Sequence, residues 1–177
     1  TLVSHDMFTV LACAQQISEQ SGGAFDVTLG SSSKAWRERK RGDVDAAMPV
    51  REKVDSRDIV LNKADQTASF NKPLSLDLGG IAKGYIADEL AEMLEGAGFA
   101  DFAVSVGGEM VCAGSPLSRK GWSIDLEGPG QKVVASMERS RTALSSSGDS
   151  YQFAEIEGKR SAHVLDPDTG KGKQDQL

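Results

Sequence analysis

The chain has 177 residues, of which 39% are hydrophobic and 26% charged, the composition of one ordinary folded domain and not of a disordered segment. Its net charge of -6 excludes an overall pull toward nucleic acid or an anionic membrane surface. No apolar run approaches membrane-spanning length and no signal peptide is seen, although a chain that begins at Thr1 without methionine gives the latter little weight.

Residues from about Ser4 to Gln20 carry an apolar stripe of Met7, Phe8, Val10, Leu11, Ala14 and Ile17 at helical spacing. Ser4 suits the N-cap and Gly22-Gly23 stops the helix. Cys13 lies on this stripe and Cys112 in a later apolar run, so both are expected to be buried free thiols. Residues 31 to 58 are polar, with weak periodicity, and read as loop with short helical pieces. Within them KAWRERKR (Lys34 to Arg41) reads as a solvated basic face in preference to a polyanion site. Ile59–Leu61 and Ala68–Phe70 are short strands around a polar turn. A second helix is expected from Ile81 to Glu95, with Ile81, Tyr85, Ile86, Leu90, Met93 and Leu94 on one face and Gly96 and Gly98 at its end.

From there the pattern changes to strands: Ala103–Val106, Met110–Ala113, Trp122–Leu126, Val133–Met137 and Ala143–Ser145. Gln152–Ile156 and Arg160–Leu165 flank the hairpin turn Glu157-Gly158-Lys159. Helices interrupted by hairpins predict an α+β fold with a mostly antiparallel sheet.

Four segments carry candidate chemistry. In Asp77-Leu78-Gly79-Gly80-Ile81-Ala82-Lys83-Gly84-Tyr85, paired glycines turn the backbone sharply into a helix whose first N–H groups and dipole suit an anion. Lys83 falls in the first helical turn, an unfavourable place for a cation unless an anion meets it there. Asp77 is placed to accept from a ribose or to cap the helix. A tight strand-to-helix turn with a solvated lysine explains the pattern equally well, and G-x-G-x-x-G is absent. Ser21-Gly22-Gly23-Ala24-Phe25-Asp26 puts an aromatic and a carboxylate in a turn, with helix termination as the simpler account. Ser105-Val106-Gly107-Gly108-Glu109 reads as a bulge or tight hairpin. Last come Ser145-Ser146-Ser147-Gly148-Asp149 and His163-Val164-Leu165-Asp166-Pro167-Asp168-Thr169-Gly170. In the second of these an imidazole suited to acid, base or phosphate work is followed by Asp166, which is placed to orient it, and by a strong turn signal.

Taken in order, these segments resemble the ApbE family of FAD:protein FMN transferases. The family's S-G-G-A-F-D is met at Ser21 to Asp26, and its D-L-G-G-I-A-K-G-Y without change at Asp77 to Tyr85. Its G-G-(D/E) turn is met at Gly107 to Glu109, its T/S-S-G-D at Ser146 to Asp149, and its H-x-x-D-P-x-T-G at His163 to Gly170. The resemblance implies a tunnelling-fold-like α+β domain that cleaves the FAD pyrophosphate. The FMN part would pass to a threonine or serine hydroxyl of a target protein, typically a subunit of a membrane-bound redox pump, with release of AMP. It also implies magnesium dependence and a bacterial periplasmic setting, with any inner-membrane anchor supplied upstream.

Carried over by motif, Ala24, Phe25, Asp26, Gly79, Lys83, Tyr85 and His163 would contact FAD, and the Ala82 carbonyl would bind magnesium. His163, with Asp166, would be closest to the transfer chemistry. The family draws a magnesium carboxylate and hydroxyl from an A-D-A-x-x-T helix downstream of H-x-x-D-P, and this chain stops before one. The usual G-P-L after Gly30 is replaced by Ser31-Ser32-Ser33-Lys34. Residues 1–177 are therefore expected to be an internal portion of a single ApbE-like domain. Two other readings use the same residues: a flavin-binding carrier or sensor, and an FAD pyrophosphatase yielding FMN and AMP.

Overall fold

The computed structural model describes residues 1–42, 54–117, 119–128, 130, 132–148, 152–156 and 158–172. The chain forms two compact units, one of Thr1–Gly80 with Tyr151–Leu177 and one of Ile81–Ser150.

In the first unit helix α1 spans His5–Gln20, and the Ser4 hydroxyl accepts from the Met7 N–H at its N-cap. Its buried stripe is Val10, Leu11, Ala14 and Ser18, narrower than the sequence suggests, with Met7 and Ile17 exposed at its margins. Cys13 is a free thiol and is exposed, contrary to the expected burial. One position is about 100° around a helix, so the step from Ala14 to Cys13 carries it off so narrow a stripe. Gln15 Nε2 donates to the carbonyls of Ser56 (2.9 Å) and Ile59 (2.7 Å), and the Ser18 and Ser56 hydroxyls meet at 2.8 Å. These bonds tie α1 to a short 3-10 turn at Ser56–Asp58 and to strand β1 (Ile59–Asn62), which pairs antiparallel with β2 (Thr67–Phe70).

The stretch expected to be mostly loop instead contains an eleven-residue helix, α2, over Gly30–Lys40. Residues 43–53 of that stretch lie outside the described residues. Periodicity missed α2 because only Ala35 and Trp36 give it large apolar contacts. Burial of Trp36 with Leu29, Ala154 and Leu165 supplies the missing drive. Arg37, Arg39 and Lys40 occupy its last turn, where cations meet the negative end of the helix dipole favourably. The basic run is thus a helix face, with Lys34 paired to Glu38 at 3.8 Å. At the other end of the unit, β8 (Phe153–Ile156) and β9 (Lys159–Ala162) form the expected hairpin.

The second unit carries helix α3 (Ala82–Gly96) on an antiparallel sheet in the order β3-β4-β7, that is Phe102–Val106, Glu109–Ala113 and Arg141–Leu144. The helix buries Ala87 and Ala91, with Leu94, against Phe102, Val104, Val111 and Ala113. Ile86, Leu90 and Met93 of the expected face are exposed. Small alanines let a helix lie close on a sheet, which larger side chains at those positions would prevent. Cys112 is buried in β4, as expected. Strands β5 (Trp122–Glu127) and β6 (Val133–Arg139) pair as a separate hairpin with an irregularity at Leu126/Glu127. Every described strand pair is antiparallel, and the fold is α+β.

One contact in the first unit tests the account of α2. A Cβ on Gly30 would lie 2.5 Å from Ser75 Oγ and 2.6 Å from the Ser75 carbonyl. Helix propensity alone would have Gly30→Ala stabilise by about 1 kcal/mol, whereas forcing a methyl into backbone costs about 1–3 kcal/mol. We expect the urea midpoint of Gly30→Ala to fall; a rise would show that Ser75 does not crowd this helix start.

Candidate functional site

In the first unit the run after α1 turns through Gly22 and Gly23, at φ +62° and +85°, a conformation that glycine adopts without strain. The Phe25 N–H then donates to Ser21 Oγ (3.1 Å). Ala24 is exposed and Phe25 half-buried. Asp26 is buried, 8% exposed, and caps the 3-10 turn Val27–Leu29. Its Oδ1 accepts from the Thr28 N–H and hydroxyl, both at 2.8 Å, and its Oδ2 from the Ser56 N–H at 3.3 Å. The carboxylate expected to meet a flavin is thus bonded into the protein's own framework.

That ring reaches the glycine elbow. Phe25 Cε2 lies 3.2 Å from where a Cβ on Gly80 would stand, so two motifs more than fifty positions apart in sequence touch, and glycine makes room for the contact. The elbow is held by Asp77, whose Oδ1 accepts from the Gly79 N–H (2.8 Å) and Oδ2 from Arg37 Nη1 (3.1 Å). The Asp77 N–H donates to the Val27 carbonyl (2.8 Å). Burial alone would push the Asp77 carboxyl up. The Ser33 hydroxyl, the Gly79 N–H and the Arg37 guanidinium outweigh it and hold the carboxyl below its ordinary 3.8. Asp77 clasps the elbow at Gly79 and does not cap the helix as the sequence offered, since the N-cap of α3 is Ile81, without a side-chain cap bond. Ser33 and Arg37 fall in runs read as loop with short helical pieces and as a solvated basic face, whose weak periodicity gives no sign that they address Asp77.

His163 follows the end of β9 and is exposed. Its Nδ1 lies 3.1 Å from the Gln152 carbonyl, which also accepts the His163 N–H at 3.2 Å. A carbonyl only accepts, so Nδ1 carries the proton and Nε2 presents its lone pair. The imidazole also stands 6.4 Å from the buried Trp36 ring, tilted at 58°. Trp36 Nε1 donates to Ser161 Oγ (3.3 Å), and Lys40 reaches both the Trp36 ring and Gln152 Oε1. The group that orients the histidine is therefore a backbone carbonyl, which residue identity does not reveal. Asp166 has its Oδ1 in the following turn, where it accepts from the N–H groups of Asp168 and Thr169 and from the Thr169 hydroxyl at 2.8–3.0 Å.

Ala82, Lys83 and Tyr85 belong to the second unit, at the start of α3. Ile81 at the N-cap has no side-chain acceptor to offer the first N–H groups. Lys83 Nζ lies 2.7 Å from Glu109 Oε1 and donates to the Gly107 carbonyl at 3.1 Å. Gly107 and Gly108, at φ +56° and +98°, are the two-residue loop joining β3 to β4 and confirm the expected tight hairpin. Ser146–Gly148 are described, while Asp149 of the same motif lies outside the described residues.

The described residues do not make a magnesium cage. The Ala82 carbonyl is a hard oxygen donor of the kind the ion takes, yet no group of three or more His, Cys, Asp or Glu side chains converges on a metal position among the described residues.

Because the folded Asp77 carboxyl titrates below 3.8, the stabilisation it gives is complete above that value. It is lost as pH falls through the lower, folded-state pKa. Asp77→Asn should be less stable than the wild-type chain near neutral pH, with the difference closing below 3.8. Urea unfolding at the two pH values measures it, and a difference constant with pH would mean that the carboxylate's charge does not matter.

The ApbE family model matches residues 1–177. A protein of Haemophilus influenzae named FAD:protein FMN transferase is 32% identical over 188 residues, covering 99% of this chain and 54% of its own length. The flavinyl transferase ApbE of Pseudomonas stutzeri, solved in its apo form, superposes with a TM-score of 0.79 at 25% identity, over 98% of this chain and 56% of that one. The ApbE protein of Thermotoga maritima superposes at 0.82 with 23% identity, over 97% and 58%, and speaks for the fold alone. The chain spans about half the length of the curated relatives it matches. With the family's pattern running from the first residue to the last, the chain belongs to the ApbE family.

Proposed function

We propose that the protein containing this chain is an FAD:protein FMN transferase. The observation that carries the reading is His163, an exposed imidazole held by a backbone carbonyl so that Nε2 is the basic nitrogen, in a chain whose relatives bear that name. In the reaction the hydroxyl of a threonine or serine in the target protein attacks the FMN-side phosphorus of FAD. A phosphoester bond forms, the bond to the AMP oxygen breaks, and AMP leaves. Nε2 takes the proton that the hydroxyl loses. The Gln152 carbonyl then has a second effect, since it accepts from the imidazolium as well as from the imidazole.

The other expected roles are proposed with it. Contacts to FAD are assigned, on the resemblance, to Ala24, Phe25, Asp26, Gly79, Lys83 and Tyr85. Asp26 acts through the turn it caps, and Asp166 supports His163 by fixing the turn that follows it. Magnesium, when bound, neutralises phosphate charge; Ala82 offers it one carbonyl, and the remaining ligands come from phosphate, water and residues other than those described. Acceptors among membrane redox-pump subunits, and a periplasmic setting with an inner-membrane anchor, are proposed on the resemblance. No helix among the described residues is long and apolar enough to cross a membrane.

The test incubates the protein with FAD, magnesium and an acceptor protein, and follows AMP together with flavin fluorescence on the denatured acceptor. His163→Ala should lower turnover by roughly 100- to 10,000-fold while FAD binding changes little. Tight FAD binding without AMP would make this a carrier, and AMP without a labelled acceptor would make it a pyrophosphatase. Either result overturns the transferase reading.

A further inference from the structure

Lys83 is an anomaly in its own helix. It is the second residue of α3, where the dipole opposes a positive charge, and its side chain is 41% exposed, so burial does not account for its place. What holds it is the β3–β4 hairpin. Glu109, 14% exposed, meets the ammonium at 2.7 Å, and the Gly107 carbonyl accepts a second bond at 3.1 Å. The hairpin is shaped for this approach: a Cβ on Gly107 would stand 3.0 Å from Lys83 Cδ, and the turn's positive φ angles set the carbonyl beside the lysine stem. Glu109 is itself held, since burial alone would raise its carboxyl, and bonds from Lys83 and the Ser145 hydroxyl outweigh that and keep it ionised.

We infer that Glu109 is the positioning residue for Lys83, fixing the ammonium beside the first N–H groups of α3, which its N-cap residue does not cap, so that they and it meet one phosphate group together. An ammonium has three donors. Among the described residues Glu109 and Gly107 engage two of them, which leaves the third for a ligand oxygen. A flexible four-carbon stem then loses little further freedom when the anion arrives, because the protein has already ordered it. Deepening the transferase reading, on which it rests, this places recognition of the FAD pyrophosphate on a carboxylate that itself touches no phosphate. Glu109 also carries a cost, since its negative charge lies near the anion. The two effects have opposite signs, so the experiment decides between them.

Binding of FAD and of riboflavin, which has no phosphate, is measured by flavin fluorescence on the wild-type protein and on Glu109→Ala, Glu109→Gln, Glu109→Asp, Lys83→Ala and the double variant Glu109→Ala/Lys83→Ala. Glu109→Ala should weaken FAD roughly tenfold, the scale of one charge-assisted hydrogen bond, and leave riboflavin unchanged. Glu109→Gln keeps an acceptor at the same reach and should restore most of the affinity. Glu109→Asp keeps the charge but falls one methylene short, and should behave like Glu109→Ala. In the Lys83→Ala background the loss of Glu109 should add little. FAD binding that stays equal or tightens in Glu109→Ala, or an undiminished loss in the double variant, overturns the inference and leaves the transferase reading standing. The variants are made in the protein that contains this chain, and a wild-type protein that binds no FAD overturns both. Should Glu109→Ala fail to fold, the contrast between Glu109→Gln and Glu109→Asp decides the matter.

Discussion

The arrangement of the first unit depends on how closely the strand-like run before the glycine elbow approaches the start of α2. Gly30 donates to the Ser75 carbonyl at 2.9 Å, and a single methyl on it would overlap that same residue. Two positions on, the Asp77 N–H reaches back to Val27, while its carboxylate takes Arg37 from the helix and Gly79 from the elbow. The elbow is therefore set by a backbone contact that only glycine permits and by a carboxylate bonded from both sides. Neither effect alone is large: a half-exposed guanidinium–carboxylate pair contributes modestly. The geometry is fixed because they act two positions apart, at Ser75 and Asp77, on one short run.

The same helix serves the histidine. Ser33 and Arg37, one turn apart, address Asp77. Trp36 and Lys40, also one turn apart, address Ser161, Gln152 and the imidazole. Positions i and i+4 share a face, so two adjoining faces of one eleven-residue helix govern two motifs that the chain separates by more than eighty residues. Ser32 adds a third point, since a Cβ on Gly170 would come within 2.8 Å of its hydroxyl, placing the turn after His163 against α2. A shift of the helix would thus be felt at the elbow and at the histidine together. This is why Trp36 is buried at the centre of a helix otherwise rich in charge.

What the sequence discloses and what it hides divide along physical lines. Features set by local rules were legible: the Ser4 cap, the Gly107-Gly108 loop, the β8–β9 hairpin, both long helices to within one residue or so, and the turn sealed by Asp166. Features set by contacts across the chain were not. Helix α2 lacks an apolar stripe because one tryptophan does the packing. The inner face of α3 is alanine, which a search for large apolar residues passes over. The orienting partner of His163 is a carbonyl, common to all residues and so invisible to motif reading. Family motifs name the candidate residues, yet say little of what each one does. Asp26 and Asp77 look alike as acidic candidates; in the structure one is a buried cap and the other the clasp of the elbow.

These internal bonds bear on how so acidic a chain would take up an anion. With a net charge of -6, the long-range field opposes a pyrophosphate, and physiological salt screens it within about 8 Å. Capture then rests on short-range groups whose orientation is fixed beforehand. In the first unit Asp26 and Asp77 are each tied to donors of the protein, which limits the repulsion they present. In the second, Lys83 is ordered by Glu109 and Gly107. Groups ordered in this way within each unit give up electrostatic steering, and with it a fast on-rate. In exchange, little has to reorganise when the ligand arrives. For the proposed transferase, whose substrates would be a dinucleotide and another protein, a slow first encounter is tolerable. A misplaced phosphate at the moment of transfer is not, because even small errors in the position of reacting groups lower the rate steeply.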